Sequence, residues 1–229
     1  MIFRQLFDKE SCTFTYLLGD EASHKAALID PVVEHIERDL RLVAELSLSL
    51  AVILDTHVHA DHVTGAGALR TRTGAKTHFS SRGGPSCADV LLNDGDVVQV
   101  GALAVRGLAT PGHTDSCMSY AVGDRVFTGD ALLVRGCGRT DFQQGDAATL
   151  WRSVHDKLFA LADATYVYPA HDYRGHTCST VGEEKRFNPR LGGSATAESF
   201  VALMAALDLP PPAKIHEAVP ANLACGKRD

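Results

Sequence analysis

Short apolar blocks separated by polar turns dominate the first third of the chain. The opening MIFRQLFDKE reads as a strand, and "CTFTYLLGD" and "KAALIDPV" are β-rich runs broken by a Gly-Asp turn. Ile36, Leu40, Val43 and Leu46 then recur at spacings of four, three and three, which predicts a helix. "LAVILDTH" is a continuous apolar run of strand length, as expected of a strand buried on both faces. GAGALR begins a helix spanning about Thr64 to Thr73.

The middle of the chain returns to strands: "AKTHFS", "DVVQV", "LAVRGLATP", "MSYAVGD" and "RVFTGD". A helix is expected from Ala147 to Leu161, with Leu150, Val154, Leu158 and Leu161 on one face. "TYVYPAH" is a last apolar strand, ending at His171. SATAESFVALMAALDL reads as one amphipathic helix, so the part from about residue 192 is a short helix followed by a polar, Pro-rich tail. Strands in two batches with interleaved helices predict an α/β fold of two packed sheets with helices outside. With no repeat and no linker composition, residues 1–229 are expected to form a single domain.

Composition removes several function classes. At 229 residues, 45% hydrophobic and 22% charged, the chain suits a globular protein with a sizeable core. A formal charge of −6 argues against broad nucleic-acid binding, which needs a basic face. Arg70, Arg72 and Lys76 are read as solvated surface. No apolar run reaches the roughly eighteen residues that a membrane-crossing helix requires. The N-terminus lacks a basic-then-apolar leader, so a cytoplasmic location is expected. Cys12, Cys87, Cys117, Cys137, Cys178 and Cys225 show no CxxC pair, and reduced thiols are expected rather than a disulfide framework.

The candidate chemistry sits where strands end. His57, His59, Asp61 and His62 follow "VILDT"; His113 lies in "TPGHT"; Asp130 closes "FTGD"; His171 closes "YPAH". Strand exits in layered α/β folds converge on one sheet edge, so these residues can meet in space. A lone histidine is usually a packed or surface residue, but seven ligand-type residues at strand exits point to metal. Gly112 and Gly129 permit tight backbone beside them, and Pro111 fixes the approach to His113. Spacing alone makes a two-metal hydrolase the default reading.

The set THVHADH, TPGHT, FTGDALL and YPAHD resembles the metallo-β-lactamase superfamily over about residues 10 to 190. The resemblance implies a sandwich of two mixed sheets with flanking helices, αβ/βα in order. In hydrolytic members one metal is held by the equivalents of His57, His59 and His113. A second is held by those of Asp61, His62 and His171, with the equivalent of Asp130 bridging. "GDALLVRGCGRTDFQQGD" and "YPAHDYRGHTCSTVGEEKRFNPRL", with "THVHADHVTGAGALR", are very similar to the persulfide dioxygenases, the family whose human member is deficient in ethylmalonic encephalopathy. The alternative is a binuclear zinc thioester hydrolase of the glyoxalase II type, which shares GCGR but normally carries a longer helical C-terminal domain for glutathione. Only about 38 residues follow Leu191 here, and no rhodanese domain is fused, which weighs toward the dioxygenase.

That resemblance implies one Fe(II) per chain on His57, His113 and Asp130, the facial triad of non-haem iron oxygenases. His59, Asp61, His62 and His171 would then surround the iron and orient its ligands by hydrogen bonds. The implied reaction oxidises glutathione persulfide with O2 to sulfite and glutathione, in hydrogen sulfide catabolism, and no side chain serves as nucleophile. A homodimer is carried over from the family. Glutathione's carboxylates call for cationic or hydrogen-bonding groups. Arg139 in GCGRTDF and Tyr173 after YPAHD are the first candidates, followed by Arg186 and Asn188. A salt bridge from Arg139 to Asp141 and a packed Tyr173 phenol are the alternatives. Cys137 is read as a small buried side chain between turn glycines.

Overall fold

The computed structural model describes residues 1–227. Its first sheet lays β1 (Ile2–Asp8), β2 (Thr13–Asp20), β3 (Lys25–Ile29), β4 (Ser49–Leu54), β5 (Lys76–Ser80) and β6 (Val90–Leu92) side by side in chain order. β1, β2 and β3 pair antiparallel, whereas β3 through β6 pair parallel. The second sheet runs β12-β11-β10-β9-β8-β7, from β7 (Val97–Val100), β8 (Leu103–Ala109), β9 (Met118–Val122), β10 (Arg125–Gly129), β11 (Tyr166–Pro169) and β12 (Ser179–Thr180). Only β10 and β11 pair parallel in it.

β2 shows why several strands lack alternation. All of its residues are buried, because both of its faces meet apolar layers. Phe14, Tyr16 and Leu18 point into the layer between the sheets, against Met118, Tyr120 and Phe127 of the second sheet. Leu17 points the other way, toward α1 (Ile36–Glu45) and α2 (Ala66–Thr73), which contribute Ile36, Val43, Ala66 and Leu69. On the far side, α3 (Ala147–Ser153), α4 (Val181–Phe187) and α5 (Ala197–Ala205) set Leu150, Val181 and Phe200 against Val126 and Val167. The result is an αβ/βα sandwich. Each fully buried Phe or Leu contributes about 1.5–3 kcal/mol, so truncating Phe127 at the centre would cost about 3–5 kcal/mol.

Four local features differ from the sequence reading. The helix expected to Leu161 ends as α3 at Ser153 and continues as one π turn, Val154–Leu158, which still buries Val154 and Leu158. α4 was not foreseen; it is a short helix capped by the Thr180 hydroxyl. The Pro-rich tail contains a further helix, α6 (Ile215–Leu223), despite Pro220 inside it. Tertiary burial of Ala218 and Ala221 against Val63 supplies what propensity does not. The expectation of six reduced thiols is also corrected: Cys87 and Cys225 form a disulfide, with Cα atoms 6.1 Å apart. The two cysteines are 138 residues apart, and only the folded chain brings them together.

Candidate metal centre

The exits of β3, β4, β10 and β11 and the loop from β8 to β9 meet at one edge of the sandwich, and backbone bonds stitch them together. Met118 N–H donates to Thr56 O at 2.8 Å, and Phe14 N–H donates to Ala170 O at 2.7 Å. The phenol of Tyr120, buried between the sheets, donates to Asp55 O at 2.8 Å. Two glycines make the approach possible. Gly112 has φ 137°, and a Cβ there would stand 2.3 Å from the Leu150 backbone. Gly129 has φ 54°, and a Cβ there would meet Thr56 at 2.8 Å. A β-bulge between Phe127 and Gly129 then swings Asp130 into the mouth.

His57, His113 and Asp130 come together with one donor atom each, all within 4.8 Å of one another. Their hydrogen bonds fix which nitrogens are bare. Thr56 Oγ1 donates to Asp30 Oδ2 at 2.9 Å, so its oxygen accepts the Nδ1–H of His57 at 3.0 Å. His57 therefore presents Nε2 as a lone pair. His113 donates Nδ1–H to the Arg139 carbonyl at 2.6 Å and turns Nε2 toward Asp130 Oδ2, 3.6 Å away. Burial, reinforced by the neighbouring His59 and His113, holds His57 well below the usual imidazole range, so it is neutral, as a ligand must be. Two bare imidazole nitrogens and a carboxylate oxygen converging on one point suit a divalent transition metal.

The remaining four residues behave differently. His171 donates Nδ1–H to Asp130 Oδ1 at 2.7 Å and Nε2–H to Asp61 Oδ2 at 2.9 Å. Burial opposes its charge, but the two carboxylates outweigh burial and hold it well above the imidazole range. In this arrangement both of its nitrogens are engaged by carboxylates. It holds Oδ1 of Asp130 and leaves Oδ2 facing His113. Asp130 itself is pushed up by burial but held below the ordinary carboxylate range by His171, then His113 and His57. His59 donates Nε2–H to Asp30 Oδ1 at 3.1 Å, and His62 donates Nδ1–H to Asp61 Oδ2 at 3.1 Å. Their other nitrogens, His59 Nδ1 and His62 Nε2, are buried without a partner. With Asp61 they form a second group whose donors also lie within 4.8 Å.

The expected glutathione contacts fall in different places. Arg139 lies beside the centre, but its guanidinium grips Asp141 through two bonds of 2.7 Å and donates to Pro210 O and Leu209 O. It reaches the metal site through its carbonyl, on His113. Asn188 is buried, with its amide spent on Gly136 O, Glu184 and the N–H groups of Arg190 and Leu191. Its amide is therefore engaged within the protein, an arrangement that no local sequence signal would have supplied. Arg186 is exposed on α4. Tyr173 is 69% exposed and lies parallel to the His171 ring, with centroids 6.1 Å apart. Cys137 is buried, and burial pushes its thiol up to about 11.

Sequence reasoning missed Asp30, Thr56, Thr13 and Gln143. Asp30 stands at the exit of β3 with φ 50°, so the rule that found the ligands would also have found it. Thr13 Oγ1 lies 3.0 Å from His171 Nε2 and 3.2 Å from Asp61 Oδ2. Gln143, itself at φ 49°, donates to Val58 O at 2.7 Å and straps the GCGRTDFQQGD loop across the histidines.

Two mixed sheets with outer helices, and bare imidazoles beside a carboxylate at their shared edge, define a metal-dependent enzyme. Residues 13–171 match the Metallo-beta-lactamase superfamily. Human mitochondrial persulfide dioxygenase ETHE1 is 50% identical over 99% of this chain and 89% of the human protein. The crystal structure of ETHE1 from Myxococcus xanthus superposes with a TM-score of 0.98 at 58% identity, covering 99% of this chain and 100% of that one. Glyoxylase B2 of Dictyostelium discoideum is 31% identical over 95% of this chain and 88% of its own length. The chain belongs to the metallo-beta-lactamase superfamily and, within it, to the persulfide dioxygenase family.

Proposed function

We propose that the chain oxidises glutathione persulfide with O2 to sulfite and glutathione, at a single Fe(II) held by His57, His113 and Asp130. The observation that carries the metal assignment is the convergence of one donor atom each from His57, His113 and Asp130, all within 4.8 Å of one another. When bound, Fe(II) supplies the redox centre at which the terminal sulfur and O2 meet. The overall change balances with one O2 and one water providing the three oxygens of sulfite, while the sulfur–sulfur bond breaks and glutathione leaves as thiol.

The chain's own residues orient and enclose. Asp30 and Thr56 keep the proton of His57 on Nδ1, and the Arg139 carbonyl does the same for His113. His171 holds one proton on Asp130 Oδ1 and the other on Asp61. Tyr173 offers an exposed hydroxyl at the mouth, and the Arg139–Asp141 pair braces the wall on which the tripeptide would lie. A homodimer belongs to the same proposal, and light scattering on the purified chain tests it.

The unpartnered His59 Nδ1 and His62 Nε2 favour a second reading, a two-zinc thioester hydrolase. Against it, His171 would have to lose one proton and give up one of its two carboxylates to become a ligand. Metal analysis with an oxygen electrode separates the two. About one iron per chain, with O2 uptake that requires glutathione persulfide, supports the dioxygenase. Near two zinc per chain, with S-lactoylglutathione hydrolysis and no O2 uptake, refutes it. Asp130→Ala should abolish metal binding and Asp61→Ala should leave part of it; equal loss from both favours the two-metal site.

A further inference from the structure

α6 touches the metal centre through one side chain. Asn222, only 1% exposed, donates Nδ2–H to His59 O at 2.9 Å and to His62 O at 2.8 Å. Its Oδ1 accepts Thr64 N–H at 2.8 Å. One amide therefore braces the backbone from His59 to Thr64, which carries His59, Asp61 and His62 and leads directly from His57. The buried apolar hold of α6 is small. Its buried apolar contacts are Ala218 and Ala221 on Val63, and the Lys214–Glu10 pair at its start is on the surface. The strong tie is covalent: Cys225, two residues past the helix, is joined to Cys87 in the segment between β5 and β6. Cys225 O also accepts Gly67 N–H at 3.0 Å, which docks this corner on α2.

We propose that Asn222 is a positioning residue for the metal-ligating loop, and that the Cys87–Cys225 disulfide makes this positioning depend on thiol–disulfide state. Cys225 is fully buried, whereas Cys87 is part-exposed, so a low-molecular-weight thiol attacks Cys87 Sγ. The sulfur–sulfur bond breaks, and Cys225 leaves as a thiolate and takes up a proton. A second thiol then attacks the mixed disulfide and releases the Cys87 thiol. In sum, two thiols lose two electrons to become one disulfide, and Cys87 and Cys225 are reduced. With the tether gone, α6 lifts more often and the His59–Thr64 backbone loses its brace.

Hydrogen exchange on the metal-free chain and zinc loss from the Zn(II)-loaded chain to a chromogenic chelator test this together. Treating the wild type with dithiothreitol should speed exchange of the peptide spanning residues 57–64 about ten-fold or more, and should speed zinc loss several-fold. Exchange in β2 and β10 should stay unchanged. Cys87→Ser should match the reduced wild type and no longer respond to dithiothreitol. Asn222→Ala should give the same local signature with the disulfide intact. Asn222→Asp, whose oxygens face the His59 and His62 carbonyls, should rescue nothing. The proposal fails if reduction changes both rates by less than about two-fold. It also fails if Asn222→Ala accelerates exchange uniformly, or if mass analysis of the untreated protein finds Cys87 and Cys225 as thiols. Should Asn222→Ala not fold, the dithiothreitol and Cys87→Ser arms still decide.

Discussion

Replacing Asp30 with asparagine should reverse a proton relay and weaken metal binding without removing a single atom from the ligand set. Asp30 Oδ1 accepts Thr56 N–H at 2.7 Å and His59 Nε2–H at 3.1 Å, while Oδ2 accepts the Thr56 hydroxyl at 2.9 Å. An asparagine amide that turned its NH2 toward Oδ1's partners would set donor against donor, so its carbonyl takes that place. The NH2 then donates to Thr56 Oγ1, whose own proton must turn to His57 Nδ1. His57 is left with its proton on Nε2, the nitrogen proposed to bind the metal. Asparagine tolerates the left-handed φ of 50° at this position, so backbone strain does not confuse the result.

Disrupting such an outer partner typically lowers metal affinity 10–100-fold, about 1.4–2.7 kcal/mol. Chelator competition on wild type and Asp30→Asn measures this, and nitrogen-15 spectra of the metal-free imidazoles report the tautomer of His57. Asp30→Ala should lose more stability than Asp30→Asn, because it gives up every acceptor and puts a Cβ-bearing residue without a polar compensator at positive φ. An Asp30→Asn protein that binds metal within about two-fold of wild type, with His57 still protonated on Nδ1, would refute the relay.

Two further outcomes follow from the pKa shifts. Burial raises Asp8, but Ser11 and His35 outweigh it and hold the carboxyl down at about 2. A depressed carboxylate stabilises the fold fully above its unfolded value near pH 4, and that contribution disappears as pH falls toward 2. The side chain is 11% exposed, so about 2 kcal/mol is at stake. Urea unfolding should show Asp8→Asn destabilised by about 1–2 kcal/mol at pH 7 and by clearly less at pH 3; an equal loss at both would exclude the carboxylate as the cause. Burial also pushes Cys117 up to about 12 and Cys137 up to about 11. Iodoacetamide at pH 8 should therefore alkylate Cys12 and Cys178 in the native chain and spare the other four cysteines until reduction and unfolding. Early labelling of Cys137 would contradict its burial.

The candidate ligands were legible because each follows closely on an apolar strand, where turn formers begin. β4, β10 and β11 announce themselves as runs of Val, Ile, Leu, Phe and Tyr, and the turn formers after them mark the mouth. Short elements were lost to the same logic. β6 has three residues and β12 two, too few for any period to register, and both depend on a neighbour already in place. α6 and the Cys87–Cys225 bond were missed because their cause is tertiary: a helix with an internal proline is held by Val63 and by the bonds of Asn222 to the His59–Thr64 backbone, and the cysteines meet only once the sandwich has closed. Arg139 and Asn188 show the same limit for polar side chains. Their identity advertises donors, but only the fold shows that the donors are already occupied.

What the donor atoms do is less local than where they stand. Nε2 of His57 is bare because Asp30, from β3, captures the Thr56 proton. Nε2 of His113 is bare because the Arg139 carbonyl, from the loop after β10, captures Nδ1–H. Oδ2 of Asp130 is free because His171, from β11, holds Oδ1. Each candidate ligand is thus made competent by a group from another strand exit, and the partners come from both sheets. A chain whose sheets have not docked would carry the same motif and lack the tautomers and carboxylate orientation that bind metal. Metal affinity should therefore fall with any lesion that separates β3 or β11 from β4 and β10, even one far from the histidines, and to a greater degree than the accompanying loss of secondary structure.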